Sequence, residues 1–268
     1  MNTNVEVITS KQNERVKNLI KLQKSSERRS QGVFTIEGIK EIQKAASSGY
    51  RLIAAYFCPD IIDYNQVTEI IGNKKDLTIY RITRDIYNKV SYRENSGGII
   101  VVAESKRHLL SSITVDHNPF FLVIEGIEKP GNIGAMLRTA DAAGVSGVFI
   151  CNSSTDLYNP NAIRSSLGCV FTLPIALCSS TEAVEWLSAK GVQIVATHLQ
   201  ATKSYFDIDY TVPTAIVMGA EATGITGVWS EVANANVIIP MRGVADSLNV
   251  SNATAIIIFE ALRQRLTL

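Results

Sequence analysis

A run of small polar residues, Ser247-Leu248-Asn249-Val250-Ser251-Asn252-Ala253, stands directly before the strongly apolar stretch Ala255-Ile256-Ile257-Ile258-Phe259. Ser and Asn side chains cap helices, because their oxygens accept from the free N–H groups of a first turn. There are too many here for one cap, and the loop Ile239-Pro240-Met241-Arg242-Gly243 lies just upstream. The helix that follows, over residues 250–266, is apolar on several sides through Ile256, Ile257, Ile258, Phe259 and Leu262. Such a helix must be buried on more than one face, deep in the protein or against a partner subunit. The pattern implies a loop shaped around a ligand and locked onto a buried helix.

Composition narrows the ligand. The chain has 268 residues, enough for two modest domains, and a formal net charge of +1. That charge exerts no global pull on nucleic acid, so any such affinity must come from a local patch. Cys58, Cys151, Cys169 and Cys178 form no CxxC pair, and none of the three His lies near a Cys at ligand spacing. A metal site is therefore not expected, and the scattered thiols suit a reducing compartment. The first residues lack the basic and apolar regions of a signal peptide, and no apolar run approaches a membrane span. These features predict a soluble cytoplasmic protein.

The first half opens on a basic stretch in which Lys11, Arg15, Lys17, Lys21, Lys24, Arg28 and Arg29 interleave with Val16, Leu19, Ile20 and Leu22. The spacing predicts a helix over 11–24 with a cationic face, either merely solvated or offered to phosphates. Short apolar strands at 33–36, 52–57, 77–80 and 99–103 alternate with helical stretches near 39–48, 65–71 and 83–90, which implies a small α/β layer fold. The polar segment 91–98 reads by default as a hairpin-like turn, with an RNA-contacting loop as the alternative. Residues 108–119, ending in Pro119, are expected to link this domain (1–107) to a second (120–268).

The second half is also α/β, with strands expected at 120–125, 147–151, 172–176, 192–197, 214–218 and 236–239. A helix is predicted from about Asn132 to Gly144, with Ile133, Met136, Leu137 and Ala140 as its buried stripe and Arg138 outside it. Three segments fall at strand ends, where open α/β sheets bind ligands: 132–140, 218–225 and 238–251. Each alone has a plain explanation. Asn132 could cap a helix, Gly219 and Gly224 could serve turns, and Pro240 could end a strand.

Taken together and in this order, the three segments resemble the three sequence motifs of the SpoU/TrmH branch of the SPOUT RNA methyltransferases, with the Ser-Leu-Asn-Val-Ser string at 247–251 the most specific. The resemblance spans 120–268. Phe34-Thr35-Ile36-Glu37-Gly38 is similar to the signature of a ribosomal-protein-like substrate-binding domain that precedes it in such enzymes. One departure is Lys129, where many relatives carry an acid.

The resemblance implies a parallel-sheet SPOUT domain with a deep C-terminal trefoil knot, an exception to the rule against threaded chains. It also implies a homodimer through the C-terminal domain and S-adenosyl-L-methionine as methyl donor. The reaction implied is methylation of a ribose 2′-hydroxyl in RNA, with rRNA favoured over tRNA by the tandem-domain plan. Thr197, Gly219, Ile239 and Leu248 become the cofactor candidates, and Asn132, Arg138, Glu221 and Asn249 match the polar active-site positions. Lys11, Arg15, Lys17, Arg28 and Arg29, with Arg164 from a further segment at 159–168, are candidate RNA contacts. An ordinary capped helix competes for that last segment, and a purely structural cap or pair competes for Glu221. A nucleotide-dependent oxidoreductase would need a strand followed by G-x-G-x-x-G, which does not occur in that context. A non-catalytic RNA-binding assembly factor is the stronger rival, and intact cofactor motifs argue against it.

Overall fold

The computed structural model describes residues 5–72, 77–93, 96–115, 117–220 and 223–267. It divides into two compact units, Met1–Arg107 with Asp156–Thr172, and His108–Thr155 with Leu173–Leu268.

The first unit runs β1 (Glu6–Ile8), α1 (Glu14–Lys21), α2 (Ser25–Gln31), β2 (Val33–Glu37), α3 (Ile39–Ser47), β3 (Leu52–Phe57), α4 (Tyr64–Ile71), β4 (Thr78–Ile82), α5 (Arg84–Val90) and β5 (Ile99–Glu104). Its five-stranded sheet has the order β1-β4-β3-β5-β2. The pairs β1–β4 and β4–β3 are parallel, while β3–β5 and β5–β2 are antiparallel. Because β3 lies between β4 and β5, the segment 91–98 is not the hairpin connection expected. It leads from α5 to β5 instead. The basic helix expected over 11–24 is shorter, confined to Glu14–Lys21, and the cations at 28 and 29 lie on a separate helix, α2. Asn13 caps α1 by accepting from the Arg15 N–H at 2.9 Å. Val16, Leu19 and Leu22 then bury the apolar stripe of α1 and its final turn.

The second unit runs β6 (Phe120–Glu125), α6 (Pro130–Ala143), β7 (Gly147–Cys151), β8 (Ile175–Cys178), α9 (Ser180–Ala189), β9 (Gln193–Thr197), β10 (Lys203–Ser204), β11 (Thr214–Met218), α10 (Gly227–Val232), β12 (Ala235–Ile238) and α11 (Val250–Leu266). Between β7 and β8 the chain forms α7 (Pro160–Ser165) and α8 (Cys169–Thr172), which belong to the first unit. Residues 172–174 are therefore not the strand start expected; α8 and Pro174 delay β8 to Ile175.

All seven strands are parallel, in the order β10-β12-β9-β11-β6-β7-β8. Strands β6, β7 and β11 are buried along their whole length, the uninterrupted apolar pattern of parallel strands covered on both faces. Trp229 of α10, fully buried, packs with Phe121, Phe149, Val217 and Leu187 in the core. The segment expected as a linker is fixed within this unit. The Leu177 N–H donates to the His108 carbonyl at 2.8 Å, and Ile113 joins the core.

Residues 156–172 are held in the first unit by two devices. Tyr158 stacks on Phe34 with ring centroids 4.0 Å apart, and Phe171 meets Tyr50 edge-on at 5.0 Å. Asp156 accepts from the Arg28 guanidinium at 2.6 Å, and Arg28 spends further donors on the Leu22 and Gln23 carbonyls. Removing one partner of a buried pair leaves the other charge uncompensated. Asp156→Ala is therefore expected to lower unfolding stability by about 3 kcal/mol in urea titrations, far more than a surface substitution.

Candidate functional site

A cavity of about 580 Å³ opens at the C-terminal ends of β9, β11 and β12, closed on one side by the start of α11. Thr197 ends β9, Gly219 follows β11, Ile239 follows β12, and Leu248 precedes α11; all four line this cavity. The structure thus brings together the four cofactor candidates read from the sequence. Three parallel strands supply its floor, and the polar loop at 246–249 supplies a wall.

Gly219 is required by close approach. A Cβ at this position would collide with the Gly224 carbonyl group and the Ile225 nitrogen. The loop folds tightly because Ala220 and Gly224 exchange backbone hydrogen bonds at 3.0 and 2.8 Å. The Thr197 hydroxyl donates to the Val217 carbonyl at 2.9 Å, tying β9 to β11 at the cavity floor.

The run that opens α11 combines capping with the site. Asn249 is the N-cap, its Oδ1 accepting from the Ser251 N–H at 3.0 Å and from the Ser251 hydroxyl at 2.6 Å. Its Nδ2 donates to Asn132 Oδ1 at 3.3 Å. Asn132 can reach outward because it does not cap α6. Pro130 takes the first helical position, where a missing N–H matters least, and the helix starts before the residue expected. Ser247 and Leu248, which do not cap α11, face the cavity.

The remaining candidates disperse. Arg138 is exposed on α6 and does not line this cavity. Glu221 lies outside the described residues. Lys11 pairs with Asp85 at 3.2 Å and Lys17 with Glu14 at 2.8 Å, while the Arg15 Nε donates to the Tyr80 hydroxyl at 2.8 Å. These three stay at or near the surface, as do Arg29 and Arg164. Arg28 does not belong with them. Its side chain is 2% exposed and its donors are consumed inside the fold, so it holds structure instead of presenting a cation to RNA.

Sequence reading missed Glu125, a buried carboxylate at the end of β6. It accepts from the Thr226 N–H at 2.7 Å and the Thr226 hydroxyl at 2.8 Å, and from the Ser180 hydroxyl, which in turn accepts from Trp229 Nε1 at 2.9 Å. This network fixes the chain just beyond the 219–225 turn. In sequence, Glu125 is only the polar end of an apolar strand, so nothing marked it. His198, Met218 and Asp246 also line the cavity, and their adjacency to Thr197, Gly219 and Ser247 was the available signal.

A parallel sheet with a ligand-sized crevice at its carboxyl strand ends defines an α/β ligand-binding domain. The sequence model of the SpoU rRNA Methylase family matches residues 119–259, and that of an MRM3-like substrate binding domain matches 13–101. The chain is 33% identical over 241 residues to the 23S rRNA (guanosine-2′-O-)-methyltransferase RlmB of Photobacterium profundum, covering 87% of this chain and 97% of that protein. It is 29% identical over 256 residues to the 23S rRNA (guanosine(2553)-2′-O)-methyltransferase RlmP of Bacillus subtilis, covering 94% and 97%. Among solved structures, the AdoMet-bound rRNA methyltransferase of Sinorhizobium meliloti superposes with a TM-score of 0.89 at 30% identity, over 97% of this chain and 98% of that one. The chain belongs to the SpoU rRNA Methylase family.

The glycine at 219 gives a direct check on the cavity. Gly219→Ala is expected to weaken S-adenosylmethionine binding at least about tenfold by calorimetry, because overpacking of about 1–3 kcal/mol displaces the turn. Unchanged affinity would mean that this turn does not shape the ligand site.

Proposed function

We infer that this protein methylates a ribose 2′-hydroxyl of ribosomal RNA with S-adenosylmethionine as the donor. The observation that carries the reading is the convergence of Thr197, Gly219, Ile239, Leu248 and Asn249 on one cavity, from strand ends far apart in sequence. The cavity fits the donor chemically. Met218, Ile239 and Leu248 offer apolar surface to an adenosine, and the loop backbone, bare at Gly219, allows close approach. Bound there, S-adenosylmethionine supplies a methyl group on an already electrophilic sulfonium.

The residues of the chain then have to align the 2′-oxygen and let its proton leave. Arg138 is assigned to the target nucleotide. A guanidinium is a poor base but a good phosphate partner, so Arg138 acts as a phosphate anchor that polarises the hydroxyl, with the proton passing to phosphate or water. Asn249 orients the wall of the cavity, and Asn132 extends that polar contact onto α6. Glu221 is assigned to the same polar network. Arg138→Ala is expected to lower single-turnover methyl transfer to rRNA about a hundredfold while leaving S-adenosylmethionine affinity unchanged. Full transfer with unaltered RNA affinity would remove Arg138 from the reaction. No binding of S-adenosylmethionine at millimolar concentration would overturn the enzyme reading altogether.

We assign the first unit to substrate RNA and the second to methyl transfer. The deep trefoil knot expected of the family is supported by strand order: β11 enters between β9 and β6 after both precede it in the chain, and α11 then packs on α6. Homodimerisation is supported by the last helix. Val250, Thr254, Ile257, Ile258 and Ala261 are buried, yet Ala255, Phe259, Leu262 and Leu266 form a second apolar stripe left open or partly open. Because α6 packs on α11, an interface along that stripe would run beside the helix that carries Arg138. Phe259→Asp is expected to convert a dimer to a monomer in light scattering. Among the described residues no helix is long and apolar enough to cross a membrane.

A further inference from the structure

A second cavity, of about 320 Å³, lies entirely within the first unit. It gathers three segments that the sequence singles out separately: the signature at 34–38, the polar loop at 91–98 and the segment carrying Arg164. Its floor is the carboxylate of Glu37, whose Oε1 accepts from the Tyr92 N–H at 2.7 Å. Gly38, at φ +95°, turns the chain there, and a Cβ on it would collide with the Glu41 carboxylate. Around the mouth stand Tyr92, 46% exposed, and three cations, Lys40, Arg93 and Arg164, all exposed.

This combination is unusual for a structural cleft. A half-buried carboxylate supplies acceptors at depth, an exposed aromatic ring supplies a stacking face, and cations at the rim supply phosphate contacts. Single-stranded RNA is recognised in this way, by unstacked bases laid on aromatic rings and bonded along their edges while the backbone meets Lys and Arg. Burial pushes the Glu37 carboxyl above its ordinary range, against the hydrogen bonds it takes from Tyr92, Arg93 and Ser96. Relief of that burden by further N–H donors from a ligand would favour the charged form. The volume lies at the lower end of small-ligand pockets and suits one nucleotide, not a duplex.

We propose that this cavity is a nucleotide-reading pocket that takes one extruded, amino-bearing base of the substrate RNA (guanine, adenine or cytosine), stacked on Tyr92 and donating to Glu37, with the flanking phosphates on Arg93 and Arg164. The proposal rests on the rRNA reading given above and adds to it a specificity determinant remote in sequence from the transfer site. Uracil is disfavoured because it has no exocyclic amino group, and its single Watson–Crick donor, N3–H, lies between two carbonyl oxygens that would face the carboxylate.

The test uses the full chain and fluorescein-labelled pentanucleotides, U5 and U2XU2 with X being G, A or C, in fluorescence anisotropy at fixed salt. An amino-bearing centre is expected to bind about tenfold more tightly than U5. Tyr92→Ala is expected to weaken the amino-bearing oligonucleotides about tenfold, the scale of one lost stacking contact. Glu37→Gln keeps the acceptor for the Tyr92 N–H but replaces one oxygen with a donor, and is expected to abolish the preference over U5. Melting temperatures of both variants within a few degrees of the parent, measured alongside, separate lost recognition from lost folding. Equal binding of all four oligonucleotides to the parent would overturn the proposal, as would unaltered preference in a folded Glu37→Gln protein. Calorimetry with S-adenosylmethionine on the same samples keeps the two readings apart. Failure to bind the donor refutes the methyltransferase reading, whereas intact donor binding with no base preference refutes only the pocket.

Discussion

The second unit depends on a strand that lies between two strands preceding it in the chain. Strand β11 separates β6 from β9, pairing with β6 on one side and β9 on the other along nearly its whole length. Five consecutive buried residues, Thr214–Met218, fill the centre of the sheet, so the strand contributes apolar burial on both faces and backbone hydrogen bonds on both edges. Where β11 ends, its continuation must turn at once. Gly219 permits that turn because Gly224 returns against it closer than any side chain allows. The crevice beside the turn is the outcome of this insertion, as are the convergence of β9, β11 and β12 at one rim and the seating of α11 above them.

The polar residues around the crevice divide the work of support and contact. Glu125, Ser180 and Trp229 are buried and, with the exposed Thr226, form a network whose members satisfy one another, as buried polar groups must. They anchor the turn without facing the cavity. Asn249 does both tasks, capping α11 through Oδ1 and reaching Asn132 through Nδ2. A capping side chain is oriented by the helix it caps, so Asn249 presents its Nδ2 to Asn132 in a defined direction. In the first unit Glu37 behaves comparably, holding the Tyr92 backbone by a hydrogen bond while lining a separate cleft.

The motifs at 132–140, 218–225 and 238–251 were legible through their conjunction and order, since Asn132, Gly219 and Pro240 each have a plain local explanation and only the Ser and Asn run before an apolar helix is odd by itself. The cofactor candidates Thr197, Gly219, Ile239 and Leu248 followed from the family resemblance and share one cavity. Glu125 was not legible, since a carboxylate at a strand end looks the same whether it faces water or a buried Ser–Trp pair. Arg28 was misread for the same reason. A cation on a basic helix is indistinguishable in sequence from one that turns inward to meet Asp156, a residue far along the chain.

By itself the sequence determined the local elements and the chemistry at their ends. Apolar runs set the strands, caps such as Asn13, Asp63 and Ser179 set helix starts, and Pro130 and Gly144 bounded the helix that carries Arg138. Only the tertiary structure decided which ends meet. Strand order, the break of the basic stretch into two helices, and the packing of Tyr158 and Phe171 against Phe34 and Tyr50 depend on pairings across long chain separations. Those pairings are selected by shared burial and hydrogen-bond closure over a whole layer, and no local window of residues encodes that sum.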